Sequence, residues 1–349
     1  MRIRVFILAS IVFAATLGVE TARAELRAGV AVEIINPADG TYLCGYGHNR
    51  TSTGIHDDLH AKAIVFDDGK QAVALLVCDA TSLQYPTVKA IREAVAEKLA
   101  GTRLKPAHII PQATHTHAAP DTIGIYGPNI MTTGVSPEYM ALLVEKSAAA
   151  VLAALEKIQP VSLVWAQTEC RGWAVNDSEP EILDNSVTIL QCLDAGGRSV
   201  ATLTNFACHP TVLDGNNSLV SSDWVYGFYK KMSEALPGEH FYLQGGIGAW
   251  IQPKTPERSF ALAEKYGFDL AEKTLEALKQ SKPVEGTHVQ AATRVFGMPI
   301  ENALFRSMFE IGLIDRGPLV DDSAETEVGW FALGNAQFAT HPGETAPEF

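Results

Sequence analysis

Five residues in three short stretches have the types and spacing to bind a metal. Ala113–Asp121 reads ATHTHAAPD and directly follows the apolar run AHIIPQ, so His115 and His117 lie two residues apart where a strand should end. If the extended conformation continues through them, period-2 geometry puts both rings on one face, where they can meet one ion or one substrate. Imidazole suits zinc, although an isolated H-x-H pair serves equally well as two hydrogen-bonded structural histidines. The pattern recurs: ATLTNFACHPT places His209 after a second apolar run, and AQFATHPGE places His341 and Glu344 after a third. Sites in α/β sheets gather beyond the carboxyl ends of strands, and a hydrolytic zinc needs three protein ligands and an open position. His115, His209 and Glu344 supply that set. His341 is the alternative to Glu344, but Pro342 fixes a turn beside it, which favours the carboxylate three residues later.

The elements that must position these residues alternate between short β-rich runs and longer helical patterns. QAVALLVCDATSL is almost continuously apolar, as in a strand covered on both faces, and TVKAIREAVAEKLA after it has helical spacing. AHIIPQATH predicts a second strand. SPEYMALLVEKSAAAVLAALEK predicts a helix with Ser136 as N-cap, Pro137 at its first position and an apolar face of Met140, Leu143, Val144, Val151 and Leu155. VSLVWAQTEC, NSVTILQCLDA and SVATLTNFACH are three further strands, the last two joined by the turn AGGR. A helix over about 223–236, the strand HFYLQGG, a helix over about 257–279 and the β-rich THVQAATRVFGMP and WFALGNAQFATH complete the pattern. The expected class is α/β, a mixed β-sheet core with flanking helices and a metal site at the C-terminal ends of strands.

Residues 1–24 read as a secretory signal peptide: Arg2 and Arg4 precede an apolar run from Val5 to Leu17, and Ala22-Arg23-Ala24 ends the segment. That run is shorter than the ~20 residues a spanning helix needs. The expectation is a secreted or periplasmic protein whose domain occupies residues 25–349. The formal net charge of −13 argues against a nucleic-acid partner, because phosphate binding draws on a basic surface. Five cysteines without close pairing predict no disulfide framework; one bridge is compatible with the count, with partners the sequence does not choose.

Other candidates have a competing structural reading. GIHDDLHAKA offers His56, Asp57, Asp58 and His60 for a metal or a substrate, or as a loop whose carboxylates satisfy backbone amides. Asp79, at the end of LLVCD, either serves the catalytic site by orienting a zinc-bound histidine or caps a helix. Asp223 in SSDW reads as the N-cap of the following helix. His48, His108, His240 and His288 have no partner pattern and are expected at the surface.

The sequence resembles the neutral/alkaline non-lysosomal ceramidases. The blocks that carry the likeness are AGVAVEIINP, GYGHNRTSTGIHDDLHAKAIVFDDG, ATHTHAAPD, NFACHPTVL followed by SSDW, and HPGE, in that order through most of the mature chain. The resemblance implies one zinc held by His115, His209 and Glu344, with His117 beside it as a catalytic partner, and hydrolysis of an amide, such as that of an N-acyl lipid, by metal-activated water. The substrate would be a small molecule or a lipid, the latter reached by peripheral contact with a membrane surface. The chain departs from the family pattern in several places. The fourth ligand is a tyrosine beyond the PGE block, and the sequence stops at Phe349, so either the chain is truncated or another group completes the shell. Asp177 follows Asn176 where the family has arginine, and Gly248, Ala249 and Trp250 stand where relatives read Gly-Asp. Neither the serine-bearing insertion nor the C-terminal sandwich domain of ceramide-cleaving members is recognisable. Two alternatives therefore stand beside the amidase: a zinc hydrolase of an ester or a carbohydrate-derived substrate, and a secreted binding protein with a degenerate site.

Overall fold

The computed structural model describes residues 25–314 and 319–348; the expected signal peptide, residues 1–24, lies outside them. The chain runs β1 (Arg27–Ile34), β2 (His60–Asp67), β3 (Ala72–Cys78), α1 (Tyr85–Ala96), β4 (Leu104–Ala113), α2 (Pro137–Glu156) and β5 (Gln159–Pro160). It continues through β6 (Ser162–Glu169), β7 (Ala174–Asn176), β8 (Ser186–Leu193), β9 (Ser199–Phe206), α3 (Trp224–Ala235), β10 (Glu239–Gln244), β11 (Ile251–Pro253), α4 (Phe260–Leu278) and β12 (Lys282–Pro283). It ends with β13 (Val289–Pro299), α5 (Ala303–Glu310), β14 (Ser323–Leu333) and β15 (Ala336–Thr340).

Two five-stranded sheets result, ordered β4-β3-β2-β1-β5 and β10-β9-β8-β6-β12. Each is mixed: β3–β4 and β9–β10 pair in parallel, whereas β1–β2, β2–β3, β6–β8 and β8–β9 pair antiparallel. Side-chain alternation along the strands sets the layers. Ala61, Ala63 and Val65 of β2 pack with Ile91 of α1 and Leu143 and Val151 of α2. The intervening Ile64 and Phe66, with Val73, Leu75 and Val77 of β3, face Leu190, Leu203, Phe241 and Leu243 of the second sheet. The outer face of that sheet, including Val187, Ile189 and Tyr242, packs with Trp224 and Phe228 of α3 and Leu270 of α4. The order is helices, sheet, sheet, helices. A strand buried on both faces needs no polar alternation, which explains the unbroken apolar run of β3.

The helix starts follow the expected chemistry. Ser136 Oγ accepts from Tyr139 N at 3.2 Å with Pro137 in the first turn of α2, and Asp223 caps α3 by accepting from Trp224 N at 2.7 Å. The β-rich WFALGNAQFATH forms the β14–β15 hairpin, turned at Gly334 and Asn335, with β14 paired to β13. Helix α5, capped by Asn302, is not among the elements expected from the sequence. All five cysteines are buried thiols. Among the described residues, no helix is long and apolar enough to cross a membrane.

Candidate metal centre and active site

Chain direction brings the chemistry together. His115 follows β4 by two residues, His209 follows β9 by three and Glu344 follows β15 by four. Their side chains converge: His115 Nε2 lies 3.2 Å from Glu344 Oε1, and His209 Nε2 lies 3.4 Å from Glu344 Oε2. His117 joins them edge-on, its ring centroid 5.0 Å from that of His115 and 5.6 Å from that of His209. Ligand atoms of the three imidazoles lie within 4.8 Å of one another. The convergence does not arise from strand geometry as expected. The strand ends at Ala113, and His115 adopts a positive φ of 70°, so a turn rather than a period-2 alternation aims the two rings. A non-glycine residue in that region is costly and persists where its surroundings hold it there.

Two backbone carbonyls fix the ring tautomers. His115 Nδ1 lies 2.6 Å from Thr81 O, and His209 Nδ1 lies 2.6 Å from Ile251 O. A carbonyl can only accept, so both Nδ1 atoms carry the hydrogen and both Nε2 atoms of the neutral rings present lone pairs. Those lone pairs face a carboxylate. The arrangement is repulsive unless a proton or a cation lies between, and His115 Nε2 and His117 Nδ1 are buried without a hydrogen-bond partner. The donor chemistry fits zinc: ligands at 2.0–2.1 Å in a tetrahedron are separated by about 3.3 Å, close to both Glu344 contacts. With a proton in place of a cation on each Nε2, hydrogen bonds from His115 and His209 hold Glu344 far below the usual carboxylate range, outweighing partial burial that acts the other way. Burial, reinforced by His115 and His209, holds His117 well below the usual histidine range and keeps it neutral.

The supporting residues come from blocks whose role the sequence did not disclose. Arg50 is buried and donates to three carbonyls, those of Cys44, His117 at 2.6 Å and Asn217 at 3.1 Å, tying three loops together. Its guanidinium lies over the Tyr46 ring, which meets His117 edge-on at 5.3 Å. Gly45, at φ 96°, lets the backbone pass directly against the His117 ring. Gly248 does the same for the segment carrying Glu344: a Cβ there would lie 2.5 Å from Glu344 O, and Gly248 N donates to Thr345 O at 2.9 Å. The only sequence signal for these residues was their place in GYGHNR and in the loop after LQG.

Other candidates lie elsewhere. The Asp79 carboxylate is not brought to the imidazole cluster; it accepts from His60 N at 3.0 Å and stands 3.4 Å from His60 Nδ1. Carbonyls, not Asp79, orient the two histidines. Asp57 is buried and accepts from Ser221 Oγ, Ser222 N and Ser222 Oγ, with His56 Nδ1 at 2.8 Å. Ser221 in turn accepts from Thr116 Oγ1 at 2.8 Å, so this block braces the HTH loop from behind. His56 and His60 line a separate cavity of about 690 Å³ with Lys62 and Tyr229. Asp223 also holds Val212 N and Leu213 N after the HPT block, and burial pushes its pKa up to about 7. His341 is exposed, and His240, expected at the surface, is buried.

Comparison with known proteins agrees with this architecture. The N-terminal domain family described as neutral/alkaline non-lysosomal ceramidase matches residues 28–235. The neutral ceramidase of Mycobacterium tuberculosis is 29% identical over 237 residues, covering 62% of this chain and 37% of that protein. Neutral ceramidase A of Dictyostelium discoideum is 24% identical over 231 residues, covering 59% of this chain and 32% of that one. The crystal structure of neutral ceramidase from Pseudomonas aeruginosa superposes with a TM-score of 0.78 at 16% identity, over 92% of this chain and 62% of that one. The chain thus spans about a third of the length of these curated relatives. With well over half its residues inside the family match, the chain belongs to the neutral/alkaline non-lysosomal ceramidase family.

Proposed function

We propose that this protein is an exported zinc-dependent hydrolase that cleaves the amide bond of an N-acyl lipid or a related N-acyl compound. The observation that carries the reading is the pair of carbonyl-fixed Nε2 lone pairs facing one carboxylate, an arrangement that a cation resolves. His115, His209 and Glu344 would hold the zinc. When bound, zinc supplies a water of pKa near ~7 and polarises the scissile carbonyl.

This chain's own residues do the rest. Neutral His117 accepts a proton at the cluster and returns it to the leaving nitrogen, because an amine departs from a tetrahedral centre only once protonated. Its low proton affinity, set by burial among two other imidazoles, favours that second transfer. Arg50 and Tyr46 hold the HTH loop and its ring so that the proton moves over a fixed distance. The amine product fits family membership; export rests on the leader sequence, and access to a lipid would be at a membrane surface.

Elemental analysis of purified wild type and His115→Ala tests the reading. About one zinc per chain, lost in the variant, together with hydrolysis of acyl amides by wild type alone, is the expected result. Full hydrolysis in a metal-free preparation would overturn it, and turnover of esters or glycans without amides would replace the bond assigned.

A further inference from the structure

The turn after β10 carries a feature that folding does not require. Ala249 and Trp250 both adopt a φ of 65°, a region in which any residue with a Cβ is strained and where glycine is the ordinary choice. The Trp250 indole recovers nothing from the fold. It is 64% exposed, and among the described residues it makes no hydrogen bond and no ring contact; only its backbone carbonyl is used, by Asp177 N at 3.4 Å. A single exposed apolar side chain is usually unremarkable. This one is held on a strained backbone in a turn whose neighbours in sequence contact the imidazole cluster and the Glu344 segment.

The turn is pinned to that cluster at both ends. Two residues before Trp250, Gly248 N donates to Thr345 O at 2.9 Å, beside Glu344. One residue after it, Ile251 O takes the Nδ1–H of His209 at 2.6 Å. The turn that carries the exposed indole therefore lies between the segment of the carboxylate and one of the imidazoles. Residues 245–251 read GGIGAWI and contain no charged or hydrogen-bonding side chain except the indole N–H. A phosphate or carboxylate finds no cation on this turn, the Asp177 and Gln252 side chains beside it are bonded to each other, and a hydrocarbon chain finds a flat apolar wall.

We propose that Trp250 is a specificity-determining residue: its indole is the wall against which this hydrolase packs the hydrocarbon chain of its substrate. The inference rests on the amide-hydrolase reading for its substrate and is tested so that the two can fail separately. The variants are Trp250→Gly, which relieves the backbone and so should melt no lower than wild type, and Trp250→Phe, which restores an apolar ring. Acetyl and dodecanoyl amides of one aminocoumarin are assayed below the critical micelle concentration. The ratio of kcat/KM for the dodecanoyl over the acetyl amide should fall about tenfold in Trp250→Gly, through KM, and recover most of the way in Trp250→Phe. An unchanged ratio, or an equal loss on both substrates, overturns the proposal. In parallel, zinc-free protein is titrated with N-methyl dodecanamide while tryptophan emission is followed. A saturable blue shift in wild type that is absent in Trp250→Gly supports the wall even if neither amide is hydrolysed, in which case only the amidase reading fails. No shift in wild type overturns the wall even if both are hydrolysed.

Discussion

Adding one methyl group at Gly45 should disable His117 without touching any proposed metal ligand. A Cβ built at Gly45 lies 2.3 Å from His117 Cγ, 2.4 Å from its Nδ1 and 2.6 Å from its Cβ. Unstrained carbon contacts are about 3.5–4.0 Å, so the ring must retreat by more than about 1 Å. It has nowhere ready to go. Tyr46 meets it on one side, His115 and His209 meet it edge-on, and Arg50 holds its backbone carbonyl. Alanine at φ 96° costs about 1–2 kcal/mol, and overpacking a filled site costs about 1–3 kcal/mol more, so Gly45→Ala should lower the unfolding free energy by about 2–5 kcal/mol. A catalytic group displaced by about 1 Å loses roughly 100-fold in rate. Three measurements on one preparation separate the effects: zinc content, kcat on an acyl amide well below the melting temperature, and urea unfolding. Zinc should stay near the wild-type level while kcat falls about two orders of magnitude. Wild-type kcat in a folded, zinc-loaded Gly45→Ala protein would refute the role given to His117.

Two further perturbations test the electrostatics. Burial lowers His240 from 6.5 to about 4, so the unfolded chain binds its proton first as pH falls; the stability this group contributes is intact above about 6.5 and is lost progressively down to about 4. The loss is bounded by about 3 kcal/mol, and His240→Gln should flatten that part of the stability profile in urea melts between pH 7 and 4.5; an identical slope in wild type and variant would show that His240 takes up its proton without unfolding. Because carbonyls rather than Asp79 orient the two imidazoles, Asp79→Asn should retain zinc at the wild-type level where His115→Ala loses it, and loss of zinc in Asp79→Asn with the fold intact would return the orienting role to that carboxylate.

Most of the strands and helices were legible because burial leaves its period in the sequence. The continuous apolar run of β3 announced a strand covered on both faces, and Ser136-Pro137 announced the start of α2. What the pattern lacked was the pairing of sheets. A run such as VATLTNF reads alike whether its second face meets a helix or another sheet, so one mixed core was expected where two sheets pack face to face. The hairpin at Gly334-Asn335 was missed for a related reason: WFAL and AQFAT are both short and apolar, and the turn between them interrupts the run by only two residues.

The candidate site shows the same limit at the level of chemistry. Its four side chains were readable because only a few residue types can donate to a metal or move a proton, and each stood where an apolar run ended. The groups that decide what those side chains can do were not readable. Thr81 and Ile251 fix the two tautomers through their carbonyls, a task any residue could perform, so residue type carries no trace of it. The same holds for the carbonyls of Cys44, His117 and Asn217 that receive Arg50. This explains why Asp79 attracted the orienting role: a carboxylate is visible in a sequence and a carbonyl is not. The backbone positions that did leave a mark are those where sterics restrict the residue. Glycine at 45 and 248 permits close approach to His117 and to the Glu344 segment, whereas Trp250, at positive φ like Gly45, carries the bulk that close packing there would forbid. Within one turn of the protein, the chain thus spends conformational freedom in two opposite ways: glycine brings the ligand-bearing segments together, and tryptophan leaves a large apolar surface standing beside them.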